Sequence, residues 1–182
     1  MALNIRDKAG AKSDGNMLSQ ECSGRNWARY PGGCLLLKRY PGGCLIQGNT
    51  KKLVDAIAAS DPENVEILDV TTAGPKDLST YELIGVASGI YAGNFGKPIL
   101  NYMGENLPAG KNVFIIFTSA INKDSLSSSA RKVIEEKNCH VVGQYNCPGY
   151  NTFGPFKLIG GTAKGHPNKE ELDGAVKFYK AL

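Results

Sequence analysis

KNVFIIFTSA, residues 111–120, is the stretch that decides the fold. Lys111 and Asn112 open it, Val113 to Phe117 follow without a polar break, and Thr118, Ser119 and Ala120 close it. A strand with one wet face alternates apolar and polar residues. A strand apolar on both faces is covered on both sides, as the central strand of a parallel sheet is. The run is far shorter than the ~18 apolar residues that suggest a membrane span.

Working outward, Tyr81–Ser88 (YELIGVAS) and His140–Tyr145 (HVVGQY) read as further strands, and NVEILDV (64–70) as an imperfect one. Helical periodicity separates them: Thr50–Ala59 with Leu53, Val54 and Ile57 on one side, Phe95–Leu107 with Pro98 in its first turn, and Leu126–Lys137. A last helix starts at Asn168, with Glu171 three residues on as a capping-box partner. Its stripe of Leu172, Ala175, Val176 and Tyr179 faces the sheet. The first strand has two registers, because RYPGGCL occurs at 29–35 and again at 39–45. Leu35–Tyr40 offers the fuller apolar run and is preferred over Cys44–Ile46. Two copies ten residues apart are a local duplication, not a repeat architecture.

Five strands alternating with helices predict an α/β domain: a parallel sheet with right-handed crossovers and helices on both faces. The ligand crevice then lies beyond the carboxyl ends of the strands, where loops 41–50, 88–96, 118–125 and 146–166 converge. Residues 34–182 form this domain. Residues 1–33, rich in Gly, Ser, Asn, Lys and Asp without a sustained period, read as an irregular, disordered N-terminal tail.

The formal net charge of +4 belongs to the front of the chain. Residues 1–50 hold 7 Lys/Arg against 3 Asp/Glu, and the remainder is balanced at 14 and 14. A neutral body is not the electrostatic footprint of a nucleic-acid binder. The amino terminus lacks the apolar segment of a secretory signal, so the expected location is cytoplasmic, with no membrane association. Five cysteines and two histidines, with no Cys-x-x-Cys, do not make a zinc site or a disulfide framework.

At the predicted crevice, Gly48-Asn49-Thr50 stands where a strand gives way to a helix. Free backbone N–H groups and the positive helix end attract an anion there, though a plain helix cap by Asn49 or Thr50 uses the same residues. There is no Gly-x-x-x-x-Gly-Lys-Ser/Thr and no Gly-x-Gly-x-x-Gly, which disfavours a triphosphatase and a dinucleotide fold. Ser88, Gly89, Ile90, Tyr91, Ala92 and Gly93 set one aromatic among small residues, suited to the close approach of a flat ring. Thr118, Ser119 and Ala120 give a polar end to the central strand. Cys147 has neither a nearby cysteine nor an evident base, and reads as structural.

Taken together, GNTKKLVDAIA (48–58), YELIGVASGIYAGNFGKPI (81–99), KNVFIIFTSA (111–120) and CPGYNTFGPFKLIGGTAKGHPNKEEL (147–172) resemble successive blocks of the flavodoxins. The nearest likeness is to flavodoxin-like proteins with a Cys-Pro-Gly loop after the fifth strand. The resemblance implies a flavodoxin-like three-layer sandwich with a five-stranded parallel sheet of order 2-1-3-4-5. It further implies an FMN-binding protein that transfers electrons to redox partner proteins. Gly48, Asn49 and Thr50 would hold the FMN phosphate. Ser88 to Gly93 would border the isoalloxazine ring, with Tyr91 stacking on it. Thr118, Ser119 and Ala120 would line the other side, and Cys147, Pro148 and Gly149 complete the rim. The flavin supplies the redox chemistry, so no catalytic acid or base and no metal is expected. The alternatives are a flavin-dependent NAD(P)H or quinone oxidoreductase on the same fold, and a domain that no longer binds FMN. The second alternative arises because Leu45 and Gln47 stand where the family's phosphate loop has hydroxyls.

Overall fold

The apolar run at 113–117 lies within the strand Asn112–Ser119, in which every residue after Asn112 is buried. The computed structural model describes residues 34–37, 48–70, 74–121, 123–151 and 160–182. The expected tail 1–33 and the second register for the first strand, at Cys44–Ile46, lie outside the described residues. The strands are β1 (Cys34–Leu37), β2 (Glu66–Asp69), β3 (Leu83–Tyr91), β4 (Asn94–Phe95), β5 (Asn112–Ser119) and β6 (His140–Pro148). The helices are α1 (Asn49–Ser60), α2 (Lys97–Asn106), α3 (Ser128–Glu136) and α4 (Lys169–Lys180), with a 3-10 turn at Asp124–Ser127 leading into α3.

The sheet order is β2-β1-β3-β5-β6, and all of these pairs are parallel. The sixth strand, β4, pairs antiparallel with the end of β3, Ile90 opposite Phe95 and Tyr91 opposite Asn94. The purely parallel five-stranded sheet expected from sequence is therefore corrected to a mixed one. The cause is local. Ala92 (φ 49) and Gly93 (φ 82) both take the left-handed conformation, and two such residues in succession make the tight turn whose twist matches a hairpin. The sequence reading ended this strand at Ser88; the structure carries it on to Tyr91.

Alternation along β5 divides the core. Val113, Ile115 and Phe117 pack with Ile84, Val86, Ile99, Met103, Ala130 and Ile134 under α2 and α3. Phe114 and Ile116 pack with Leu53, Val54, Ile57 and Ala175 under α1 and α4. Successive strand side chains point to opposite faces, so one continuous apolar run supplies both layers. Pro98 stands in the first turn of α2, where its missing N–H costs no helical bond. Asn168 caps α4 reciprocally: its side chain accepts from the Glu171 N–H (2.9 Å), and the Glu171 carboxylate accepts from the Asn168 N–H (2.6 Å). No helix among the described residues is long and apolar enough to cross a membrane.

α4 approaches β6 closely at Gly174. A Cβ there would stand 2.5 Å from the Tyr145 hydroxyl oxygen. That hydroxyl donates to the Glu171 carbonyl (2.7 Å), and its ring packs against Phe178 with centroids 5.8 Å apart. Helix propensity alone makes Gly→Ala favourable by about 0.8–1 kcal/mol, but overpacking a well-filled site costs about 1–3 kcal/mol. Crowding wins here, so Gly174→Ala is expected to lower the urea midpoint in wild type and to be neutral or stabilising in a Tyr145→Phe background. Stabilisation of the wild-type chain would refute this packing.

The same layer fixes the response to alkali. Burial, with Glu171 nearby, pushes the Cys147 thiol from its ordinary 9.0 up to about 12. Burial raises Tyr145 from 10.0 to about 12, with smaller contributions from Cys147 and Glu171. Tyr179 rises likewise to about 12, through burial and then through the bond from its hydroxyl to Asp61 (3.0 Å). The folded state holds these protons more tightly than the unfolded state, so their contribution is complete below about pH 9 and is lost as the pH rises toward 12. Stability measured by urea unfolding is expected to begin falling above about pH 9, and to fall less steeply between pH 10 and 11 in Tyr179→Phe. A flat profile to pH 11 would contradict the burial of these groups.

Candidate functional site

The carboxyl ends of β3, β5 and β6 meet the amino end of α1. Gly48 precedes the helix in the left-handed conformation (φ 91), where a side chain is strained although the space around it is open. The first helical bond runs from the Lys52 N–H to the Gly48 carbonyl (2.9 Å). The N–H groups of Asn49, Thr50 and Lys51 therefore have no acceptor within the helix, and no side-chain cap covers them among the described residues. No acidic residue stands in this first turn, and Lys51 is bridged to Asp55 (2.6 Å). Among the described residues these three amides are left without a partner, an arrangement that attracts an anion.

Asn49 and Thr50 turn their side chains inward and are buried. The Asn49 amide donates to the Tyr150 carbonyl (2.8 Å), and the Thr50 and Thr118 hydroxyls share a hydrogen bond (2.8 Å). The helix start is thereby tied to the ends of β5 and β6. Of the expected phosphate-site residues, Gly48 contributes conformation and the other two contribute these ties and their backbone amides.

Beside this point lies a cleft of about 190 Å³. One side is Ile90, Ala92 and Gly93 of the β3–β4 hairpin; the other is Thr118 through Ile121 with Leu126; Gly149 and Asn151 complete the lining. Thr118, Ser119 and Ala120 are thus brought to the cleft with Ile90, Ala92 and Gly93. Ser119 donates to the Ile121 carbonyl (2.6 Å), and the Ile121 side chain is 64% exposed.

Four expected residues, Ser88, Gly89, Tyr91 and Cys147, are not among those lining the cleft. Ser88 is buried and holds the hairpin, donating to the Gly89 carbonyl (2.8 Å) and accepting from the Gly96 N–H (3.2 Å). Tyr91 does not line the cleft. It shares a strand face with Gly89, and its hydroxyl oxygen lies 3.1 Å from where a Cβ on Gly89 would stand. The missing side chain of Gly89 is what lets the tyrosine ring fold back, and Ile90, on the opposite parity, reaches the cleft instead. Cys147 belongs to β6, and its thiol packs in the layer under α1 and α4, 2% exposed. The rim position expected of Cys-Pro-Gly falls to Gly149. His166 hydrogen-bonds the Glu171 carboxylate through Nδ1 (2.7 Å), next to the α4 cap, and is not among the cleft-lining residues.

Sequence reasoning missed Ile121, Leu126, Asn151 and Tyr150. Ile121 had a signal, an apolar residue two positions past a strand end and before polar residues. The bond from Asn49 to Tyr150 spans 101 residues and carries no local signature.

No family model matches this chain. The uncharacterized protein MJ0298 of Methanocaldococcus jannaschii is 33% identical over 136 residues, covering 74% of this chain and 89% of that protein. Among solved structures, a flavodoxin from the domain Archaea is similar with a TM-score of 0.57 at 15% identity, covering 81% of this chain and 92% of the other. Oxidised flavodoxin 1 from Bacillus cereus gives 0.56 at 15% identity, over 83% of this chain and 99% of the other. The flavodiiron core from Synechocystis gives 0.54 at 14% identity, over 85% of this chain but only 36% of the other. The chain thus has a flavodoxin-like α/β fold, and it belongs to the family of the uncharacterized protein MJ0298 of Methanocaldococcus jannaschii.

Proposed function

We propose that this protein binds FMN across the cleft and the amino end of α1, and that it serves as an electron carrier between redox partner proteins. The observation that carries this reading is the joining of two unlike binding surfaces by one hydrogen bond. Thr50 belongs to an uncapped helix start suited to a phosphate, Thr118 to a slot of small and aliphatic residues suited to a flat ring, and their hydroxyls meet at 2.8 Å. Flavodoxin-like neighbours in the solved structures support a flavin as the ligand.

The residues present fit this group. The amides of Asn49, Thr50 and Lys51 would hold the phosphate, with Gly48 letting the backbone approach closely. Ala92, Gly93, Ala120 and Gly149 would admit the ring edge without steric obstruction, and Ile90 and Leu126 would cover its faces. The cleft alone is smaller than the roughly 300–1,000 Å³ usual for a small-molecule site, which suits a slot for one part of a ligand whose phosphate sits on the helix. When bound, FMN supplies the redox chemistry. This chain binds it, orients it and limits the access of water to it.

Titration of the apoprotein with FMN and with riboflavin tests this reading. Each charge-assisted bond to the phosphate contributes about 1.5–3 kcal/mol, and about 1.4 kcal/mol is tenfold in affinity. FMN is expected to bind at least tenfold more tightly than riboflavin. Equal affinities would remove the phosphate from α1, and steady NAD(P)H oxidation by the FMN-loaded protein would replace the carrier with an oxidoreductase.

A further inference from the structure

The residue that follows Cys147 and Pro148 sits where three segments cross. Gly149 is buried, and a Cβ on it would stand 3.0 Å from Thr118 Cβ, 3.1 Å from Thr118 Oγ1 and 3.1 Å from Asn49 Nδ2. Its φ is not in the left-handed region, so space rather than backbone conformation calls for glycine. The crowding atoms belong to the two side chains that tie the start of α1 in place, Asn49 to the Tyr150 carbonyl and Thr118 to Thr50. Gly149 itself donates from its N–H to the Ser119 carbonyl (3.0 Å), which continues the pairing of β6 with β5 beyond Pro148. Contacts of 3.0–3.1 Å are below ordinary van der Waals separation, so a side chain here requires Asn49 or Thr118 to give way by a few tenths of an ångström, at the atoms that make the two ties.

We propose that Gly149 is a positioning residue: by having no side chain it lets Asn49 and Thr118 close over it, and so sets the first turn of α1 at a fixed distance from the cleft. Its functional part rests on the FMN reading above. Phosphate and ring are joined by a chain of fixed length, so a ligand spanning both surfaces requires their separation to be held. A fragment that occupies the cleft alone does not.

Gly149→Ala is tested by two measurements. Amide hydrogen exchange on the ligand-free protein is expected to show at least tenfold faster exchange at Lys52 and Leu53, with β3 and the middle of α4 unchanged. FMN and riboflavin titrations are expected to show the preference for FMN collapsing by fivefold or more, because FMN, which spans both surfaces, loses more affinity than riboflavin. A general loss of packing would instead weaken both ligands together. Thr118→Val, which keeps shape and removes only the hydroxyl, is expected to shift both readouts in the same direction, and it decides the matter if the alanine variant does not fold. Unchanged exchange at Lys52 and Leu53 in the folded variant overturns the proposal, as does an unaltered ligand ratio where wild type prefers FMN. A wild type that binds FMN and riboflavin equally overturns the phosphate reading and the functional part of this proposal, while the exchange result alone still decides whether Gly149 holds α1.

Discussion

Phe114 and Ile116 on one side of β5, and Val113, Ile115 and Phe117 on the other, leave water together when the strand is covered on both faces. Each large apolar side chain so buried contributes about 1.5–3 kcal/mol relative to exposure. The strand cannot be satisfied by one layer of helices. α2 and α3 must cover one face while α1 and α4 cover the other, and parallel neighbours with helical crossovers are the economical way to place them. With the helices on both faces, each of the five parallel strands delivers its carboxyl end to the same edge. The site is a consequence of that arrangement.

At that edge the apolar run changes character. Thr118 keeps the parity of Phe114 and Ile116, faces α1 and meets Thr50; Ser119 takes the other parity and fixes the Ile121 loop. One strand therefore supplies the core, the tie to the helix start and one wall of the cleft. The β3–β4 hairpin supplies the opposite wall, and Ser88 and Ser129 hold it through bonds to the Gly96 and Phe95 amides. Gly149 closes the group because nothing on it keeps Asn49 and Thr118 apart.

Elements governed by short-range pattern were legible in the sequence. The β5 run, the α4 capping box and the first-turn proline of α2 each rest on neighbours within a few residues, and each stands where the pattern placed it. Less legible were features decided by which side of a strand a residue takes once its end is known. Reading 88–93 as a loop left Tyr91 free to face a ligand, but extending β3 to Tyr91 assigns it to the face of Gly89 and hands the cleft to Ile90. Cys147 followed the same logic, since β6 continues past Tyr145 and its parity turns the thiol into the core. The crossing at Gly149 was illegible for another reason: its partners, Asn49 and Thr118, are distant in sequence, and a glycine required for space looks like any turn glycine.

The proposed function requires one placement, a phosphate on the first turn of α1 joined to a ring in the slot between β3 and β5. Backbone amide NMR of the isotopically labelled protein, recorded before and after one equivalent of FMN, tests it most directly. The predicted result is that the amides of Asn49, Thr50 and Lys51 shift together with those of Ala92, Gly93 and Ala120, whereas riboflavin moves only the second set. Shifts confined to other surfaces, such as the groove between α1 and α4 near Ala56 and Leu172, would contradict it.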